Sequence, residues 1–330
     1  MKGSLTLKNR ERQWEVRKPR FFIDEKQAKE MFLRFCPGIW DELAGLRDAL
    51  EWPMEKVLRE FGGYRLDGLR SGCSILAGKN FLVRNYDYHP KTYEGRYLLF
   101  QPTDGKGYAT VGPSQKITGR MDGMNEKGLV VGYNFTNRKK PKDGFVCFMI
   151  GRILLETCAD AEEALALLKE IPHRHSFSYV VFDKSCVPYV AEASPRGIGV
   201  RQANVCTNHF EILTEENRHY LDDSLRRMER MAERKRAFSD AGAAFRLLNG
   251  TGNGVFSKQY ASWAGTIHTS AYFPREMKAW FALGGDREPA EIDFAKWLSG
   301  ENVKLDRFYG EVDTDLPFVH MDEGADWYHR

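Results

Sequence analysis

Between Gly72 and Asp87 the chain reads Gly-Cys-Ser-Ile-Leu-Ala-Gly-Lys-Asn-Phe-Leu-Val-Arg-Asn-Tyr-Asp. Two short apolar runs flank the turn tripeptide Gly78-Lys79-Asn80, which predicts an antiparallel hairpin. A hairpin returns its far end to the side of its start, so Arg84 and Asp87 are expected near Cys73. A cation lowers a thiol pKa, and a carboxylate can hold an amine or an imidazole in place. Cys73 is therefore a candidate nucleophile. A single cysteine is more often a small buried apolar residue, and Arg and Asp three apart are often a solvated ion pair. The rest of the chain has to decide.

Upstream, residues 1–23 are polar and basic and read as an extended arm. From Asp24 to Phe61 apolar residues recur at helical spacing, among them Phe32, Phe35, Trp40, Leu43, Val57 and Phe61. Asp24 is a fair N-cap, Pro37-Gly38 separates two helices, and Gly62-Gly63 ends the pattern before a loop or short strand at Tyr64 to Ser71. Downstream, strands are expected at 97–100, 129–135, 178–183, 188–192, up to 205–210, and near 265–272 and 277–283. Asp122 to Gly128 reads as a turn. Helices are expected at 145–158, at 161–169 with Asp160 as N-cap, and at about 217–235 and 238–247. Strands in groups with helices in blocks fit two mainly antiparallel sheets with helices packed outside.

With 330 residues, 42% of them hydrophobic, the chain can bury a large core. A net charge of +3 supplies no general attraction to nucleic acid or to an anionic membrane. No run approaches the ~18 apolar residues of a membrane helix, and the first residues turn polar too soon for a signal peptide. The expected location is the cytoplasm. Six cysteines without a Cys-x-x-Cys pair read as free thiols, not as disulfides or a zinc site. His173 and His175 lack a third ligand, and Gly250 to Gly254 lacks the strand and the Lys-Ser/Thr of a phosphate loop. No metal and no cofactor are expected.

Further motifs carry a resemblance. Gly72-Cys73, Arg84-Asn85-x-Asp87, Gly123-Met124-Asn125-Glu126-x-Gly128-Leu129, Tyr133-Asn134-Phe135 and Thr207-Asn208-His209-Phe210 occur in this order. Together they resemble one branch of the N-terminal-nucleophile hydrolases. That branch holds the aminopenicillanic-acid acyltransferases and is related to choloylglycine (bile salt) hydrolases and penicillin V acylases. The similarity runs from Cys73 to about Asp286. It implies an α+β fold, an αββα sandwich, and self-cleavage between Gly72 and Cys73. Residues 1–72 would then be a mostly helical leader and 73–330 the catalytic domain. The resemblance also implies Cys73 as nucleophile, Arg84 beside the thiol, and Asp87 on the freed α-amine. It gives Asn208 an oxyanion role and Asn134 an oxyanion or substrate contact. Arg227 matches a structural arginine of the site, with Arg226 as the competing alignment. Bile salt hydrolases begin almost at their cysteine, so the residues ahead of Cys73 favour the acyltransferase-like branch.

The expected substrate is a small-molecule linear amide or an acyl thioester of the acyl-CoA kind, and a homo-oligomer is left open. Two other readings compete: a non-catalytic relative that keeps its leader and acts as a binding protein, and an uncut cysteine peptidase using His209 or His268.

Overall fold

A computed structural model describes residues 23–65, 72–103, 105–136, 140–218, 220–305 and 307–318. The expected basic arm, except Ile23, and most of the stretch from Tyr64 to Ser71 lie outside the described residues. Asp24 caps helix α1 (Glu25–Phe35), its carboxylate accepting the Gln27 N–H at 3.1 Å. Pro37 opens α2 (Pro37–Leu50), a position where its missing N–H costs nothing. Helix α3 (Met54–Val57) runs into a wide turn at Leu58–Gly62, and Gly63 ends it at positive φ.

Seven strands follow: β1 (Ser74–Ala77), β2 (Leu82–Tyr88), β3 (Tyr97–Phe100), β4 (Thr110–Gln115), β5 (Gly119–Arg120), β6 (Gly123–Asn125) and β7 (Val130–Phe135). After α4 (Cys147–Thr157) and α5 (Ala161–Glu170) come β8 (Phe177–Phe182), β9 (Tyr189–Ser194), β10 (Gly197–Gln202) and β11 (Val205–Cys206). The chain continues through α6 (Asp222–Glu233), α7 (Ala241–Asn249), β12 (Lys258–Gln259), β13 (Ala264–Phe273), β14 (Lys278–Leu283), β15 (Ala290–Asp293) and α8 (Phe294–Leu298).

Two sheets result, and every strand pair named here is antiparallel. One runs β11-β1-β2-β13-β14-β15 with β12 on β13, the other β10-β9-β8-β7-β6-β4-β3 with β5 on β4. Alternation along each strand divides the core. Cys73, Ile75, Leu82, Tyr86, Val130 and Val180 meet between the sheets. Leu76, Phe81 and Val83 face the other way, onto Phe245 and Leu248 of α7. Val131, Tyr133 and Phe135 turn outward onto α4 and the N-terminal helices. The order helix, sheet, sheet, helix is the αββα sandwich.

Three expectations need correction. Asp122 to Gly128 is not all turn, because Gly123–Asn125 pairs with β7 as strand β6. Strand β4 is not among the expected elements, since Gly112-Pro113 interrupts its pattern; Pro113 still serves the fold by accepting the Met121 N–H at 2.9 Å. The helix expected from about 217 starts at Asp222, because the Asn217 side chain is clasped to both backbone groups of Phe210.

The described residues ahead of Gly72, 23–65, contribute to the core. Phe32 and Tyr64 both set their rings edge-on to Phe145 at 5.0 Å. Glu42 of α2 pairs with the buried Arg152 of α4, and Val146 N–H is bonded to Gly63 O at 2.8 Å.

Candidate active site

Cys73 lies at the entrance of β1 and is fully buried. The β1–β2 register places Ser74 opposite Asn85 and Ile75 opposite Arg84, so the hairpin forms as expected. Cys73, Ile75 and Arg84 share the face between the sheets. There Arg84 Nη2 lies 3.3 Å from Cys73 Sγ, while the Asp87 carbonyl oxygen lies 3.9 Å from the same sulfur. Overhead passes β7. A methyl group on Gly132 would stand 3.1 Å from Arg84 Cδ and 3.0 Å from Ile75 Cδ1, so a larger residue would have to push both side chains back by a few tenths of an ångström.

Arg84 is held through both terminal nitrogens, while its Nε has no hydrogen-bond partner among the described residues. Nη1 donates to Asp122 Oδ2 at 2.6 Å and to Met121 O at 3.1 Å, and Nη2 also donates to Tyr133 O at 2.5 Å. Burial pulls the guanidinium pKa down, but the sulfur of Cys73 and the Asp122 carboxylate outweigh it and raise the pKa, so the charge is permanent. Burial alone would raise the pKa of Asp122. His268, Arg84 and the Tyr272 hydroxyl overcome it and hold this carboxyl at about 2. In the sequence Asp122 is only the start of a turn, and nothing there pairs it with Arg84.

Asp87 is at the far end of β2, where β13 carries a bulge between Thr266 and His268. The bulge re-aims the strand, and Thr266 Oγ1 donates to Asp87 Oδ1 at 2.7 Å. Asp87 Oδ2 is buried without a hydrogen-bond partner among the described residues. It points toward Gly72, on which a methyl group would stand 3.7 Å away. Burial pushes the Asp87 carboxyl up to about 7, against the opposing pull of Arg227, Thr266 and Arg84.

Asn208 follows β11. Its Oδ1 accepts the Cys73 N–H at 2.9 Å and an Arg227 Nη2 hydrogen at 2.8 Å, and its Nδ2 donates to Phe135 O at 2.7 Å. Two donors on one oxygen fix which way the amide faces. Arg227, buried on α6, also donates from Nη1 to Cys73 O at 2.9 Å and to Ser74 Oγ at 2.7 Å. Arg226 points outward to Asp223 and Gly254 O. Ser224, one helical turn from Arg227, accepts the Asn208 N–H at 2.7 Å. Neither Ser224 nor Thr266 carries any signal in the sequence, being unremarkable residues of a helix and a strand.

Asn134 projects between the sheets, donating from Nδ2 to Cys206 O at 3.0 Å, while its Oδ1 has no partner among the described residues. The histidines considered for a dyad are engaged elsewhere. His209 Nδ1 meets Ser224 Oγ at 2.8 Å, and His268 Nδ1 meets Tyr93 Oη at 2.8 Å. Beside Gly72 opens a cleft of about 210 Å3 lined by Asn208, Arg218, Tyr220, Arg227, Gln259 and Trp263. No cluster of three or more His, Cys, Asp or Glu able to hold a metal occurs among the described residues, and no described helix is long and apolar enough to cross a membrane.

Two antiparallel sheets between helices, with this arrangement at the head of β1, define an N-terminal-nucleophile hydrolase superfamily fold. The chain belongs to the acyl-coenzyme A:6-aminopenicillanic acid acyl-transferase family, whose characteristic sequence pattern matches residues 76–288. Among solved structures, a variant of conjugated bile acid hydrolase from Clostridium perfringens aligns at 14% identity and a TM-score of 0.51, covering 74% of this chain and 100% of that one. Penicillin V acylase from Agrobacterium tumefaciens aligns at 14% identity and a TM-score of 0.47, over 68% of this chain and 86% of its own. A Caenorhabditis elegans ortholog of N-acylethanolamine-hydrolyzing acid amidase aligns at 16% identity and a TM-score of 0.43, over 61% and 92%. A comparison with curated proteins found no match.

Proposed function

We propose that this protein is a self-processing cysteine amidohydrolase or acyltransferase that works through an acyl-Cys73 intermediate on a linear amide or an acyl thioester. The observation that carries the reading is the pairing at Cys73 of a charged donor and a carboxylate with one oxygen unpaired among the described residues. Arg84 Nη2 lies 3.3 Å from the sulfur, and Asp87 Oδ2, without a partner among the described residues, faces Gly72.

In self-cleavage Cys73 Sγ adds to the Gly72 carbonyl carbon and the peptide C–N bond breaks. The thiol proton ends on the departing nitrogen, which becomes the Cys73 α-amine, and water hydrolyses the thioester to leave Gly72 as a carboxylate. Asp87 Oδ2 then has the amine as its partner. An α-amine ordinarily titrates at about 7.7–8.0, so near neutral pH it serves as the base for its own thiol. In turnover the sulfur adds to a substrate carbonyl, the leaving amine or thiol departs with a proton, and water or an acceptor amine takes the acyl group. Arg84 stabilises the thiolate. Asn208 serves the oxyanion once its Nδ2 is released from Phe135 O.

The test is the denatured intact mass of the purified protein. Wild type is expected as two chains with the larger beginning at Cys73, and Cys73→Ala as one. A Cys73→Ala chain that is still cut would end the reading. A wild type that stays whole under all conditions would favour a non-catalytic binding role.

A further inference from the structure

We propose that Asp122, backed by Tyr272, is the positioning residue that aims Arg84 at the Cys73 thiol. The inference rests on the reading of Cys73 as the nucleophile. Of the acceptors around the guanidinium, Met121 O and Tyr133 O are neutral carbonyls, and Asp122 is the carboxylate. A planar guanidinium fork is oriented most firmly by a fixed anion. Because Asp122 Oδ2 and Met121 O take Nη1, Nη2 is left to reach the sulfur and Tyr133 O.

Asp122 is in turn immobilised from β13. Antiparallel register sets Ser270 opposite Arg84 and Tyr272 opposite Leu82, so Tyr272 shares the face on which Arg84 lies. The Tyr272 hydroxyl donates to Asp122 Oδ1. His268 Nε2 stands 3.7 Å from Oδ2, and its ring is fixed by Tyr93 and by stacking on Tyr86 at 5.0 Å. All of these groups are buried. In that setting bulk solvent does not reach a group that has lost its partner, so displacing one group turns the next.

A positioning residue and a mere counter-charge predict opposite signs. If Asp122 only neutralised Arg84, its removal would leave more positive charge beside the sulfur, and the thiol would ionise at lower pH. If it aims Arg84, removal lets the guanidinium turn away, and the thiol ionises at higher pH.

The experiment titrates the full-length protein labelled with [β-13C]cysteine, following the Cys73 resonance, which is assigned by its loss in Cys73→Ser. Each variant is compared with wild type in the same processing state, checked by denatured mass. Asp122→Asn is expected to raise the Cys73 midpoint by about one pH unit or more, a tenfold change in ionisation constant. A midpoint that falls or stays in place would overturn the proposal. Should Asp122→Asn lack a cooperative melt, Tyr272→Phe keeps the carboxylate and the ring and removes the donated hydrogen bond. Its midpoint should also rise, by less, and an unchanged or lower value counts against the proposal in the same way. The readout needs neither cleavage nor substrate. A chain that never cuts itself would therefore sink the proposed function without touching this result.

Discussion

Arg227 Nη1 donates to the carbonyl oxygen of Cys73 at 2.9 Å, and the adjacent Nη2 donates to Asn208 Oδ1 at 2.8 Å. One guanidinium on α6 thus braces both sides of the residue at the head of β1, with Asp223 behind it at 2.8 Å. Replacing Arg227 by Leu removes a hydrogen bond from three buried acceptors, Cys73 O, Ser74 Oγ and Asn208 Oδ1, at a cost of about 2–4 kcal/mol. Urea denaturation should record that loss, and self-cleavage should slow with it. Arg226→Leu, on the exposed side of the same helix, should stay within about 0.5 kcal/mol of wild type. Equal effects from the two variants would contradict the bracing role.

Asp87 makes a prediction about pH. Its carboxyl is pushed up to about 7 in the fold, against about 3.9 in an unfolded chain. An acid with a raised folded pKa binds more protons folded than unfolded, so its contribution to stability is full below about pH 4 and lost as pH rises through 7. The clean comparison is Cys73→Ser, kept uncut, against Cys73→Ser with Asp87→Asn. The stability gap between them should change by several kcal/mol from pH 4 to pH 8, in the direction that the carboxylate form is the weaker at high pH. Burial lowers the pKa of His268 and of His209, which makes stability rise over part of the same range, but these groups are common to both proteins and cancel. A gap that is flat with pH would mean that Asp87 is not buried in this way.

Asn208→Ala should fold and turn over a working substrate at least about tenfold more slowly, since a lost oxyanion donor typically costs about 3 kcal/mol. In the uncut chain the amide nitrogen is bonded to Phe135 O, so the effect on self-cleavage need not match the effect on turnover. Steady-state kinetics on the processed enzyme is the relevant measurement. Unchanged kcat/KM would remove Asn208 from the chemistry.

Once cut, residues 1–72 should remain bound. Phe32, Ile39, Leu43, Val57 and Phe61 are fully buried within the core that α4 and β7 share, and Glu42 supplies counter-charge to the buried Arg152. Size-exclusion chromatography in native buffer should give one species containing both chains, which separate only in denaturant. A catalytic chain that elutes alone in native buffer would disprove this.

Much of the site is legible in the sequence because it is local. The hairpin pairs Ala77 with Leu82 across the tight connection Gly78–Phe81, and that register alone puts Arg84 and Asp87 near Cys73. Asn208, Asn134 and Arg227 enter through family resemblance, since no local pattern links positions so far apart. Asp122, Thr266 and Ser224 are not legible at all. Each reaches the site across a strand pair or a loop, and short polar side chains of their kind occur in every turn and helix. Strand β4 escapes for a related reason. Its Gly-Pro step looks like a break until the neighbouring strands are in place to pair around it.

The αββα sandwich was implied by the family resemblance; by itself, the sequence determined the hairpin, the helix starts at Asp24 and Asp160, and an order of strands and helices that fits two mainly antiparallel sheets. These follow from backbone geometry and from which side chains avoid water, and both operate over a few residues. Only the tertiary structure decided which charges meet. It brought Asp122 to Arg84, left Asp87 with an oxygen unpaired among the described residues beside Gly72, and turned Arg227 inward while Arg226 faces solvent. Electrostatic partners inside a protein are chosen by distance in space and by the absence of water, and neither is written along the chain.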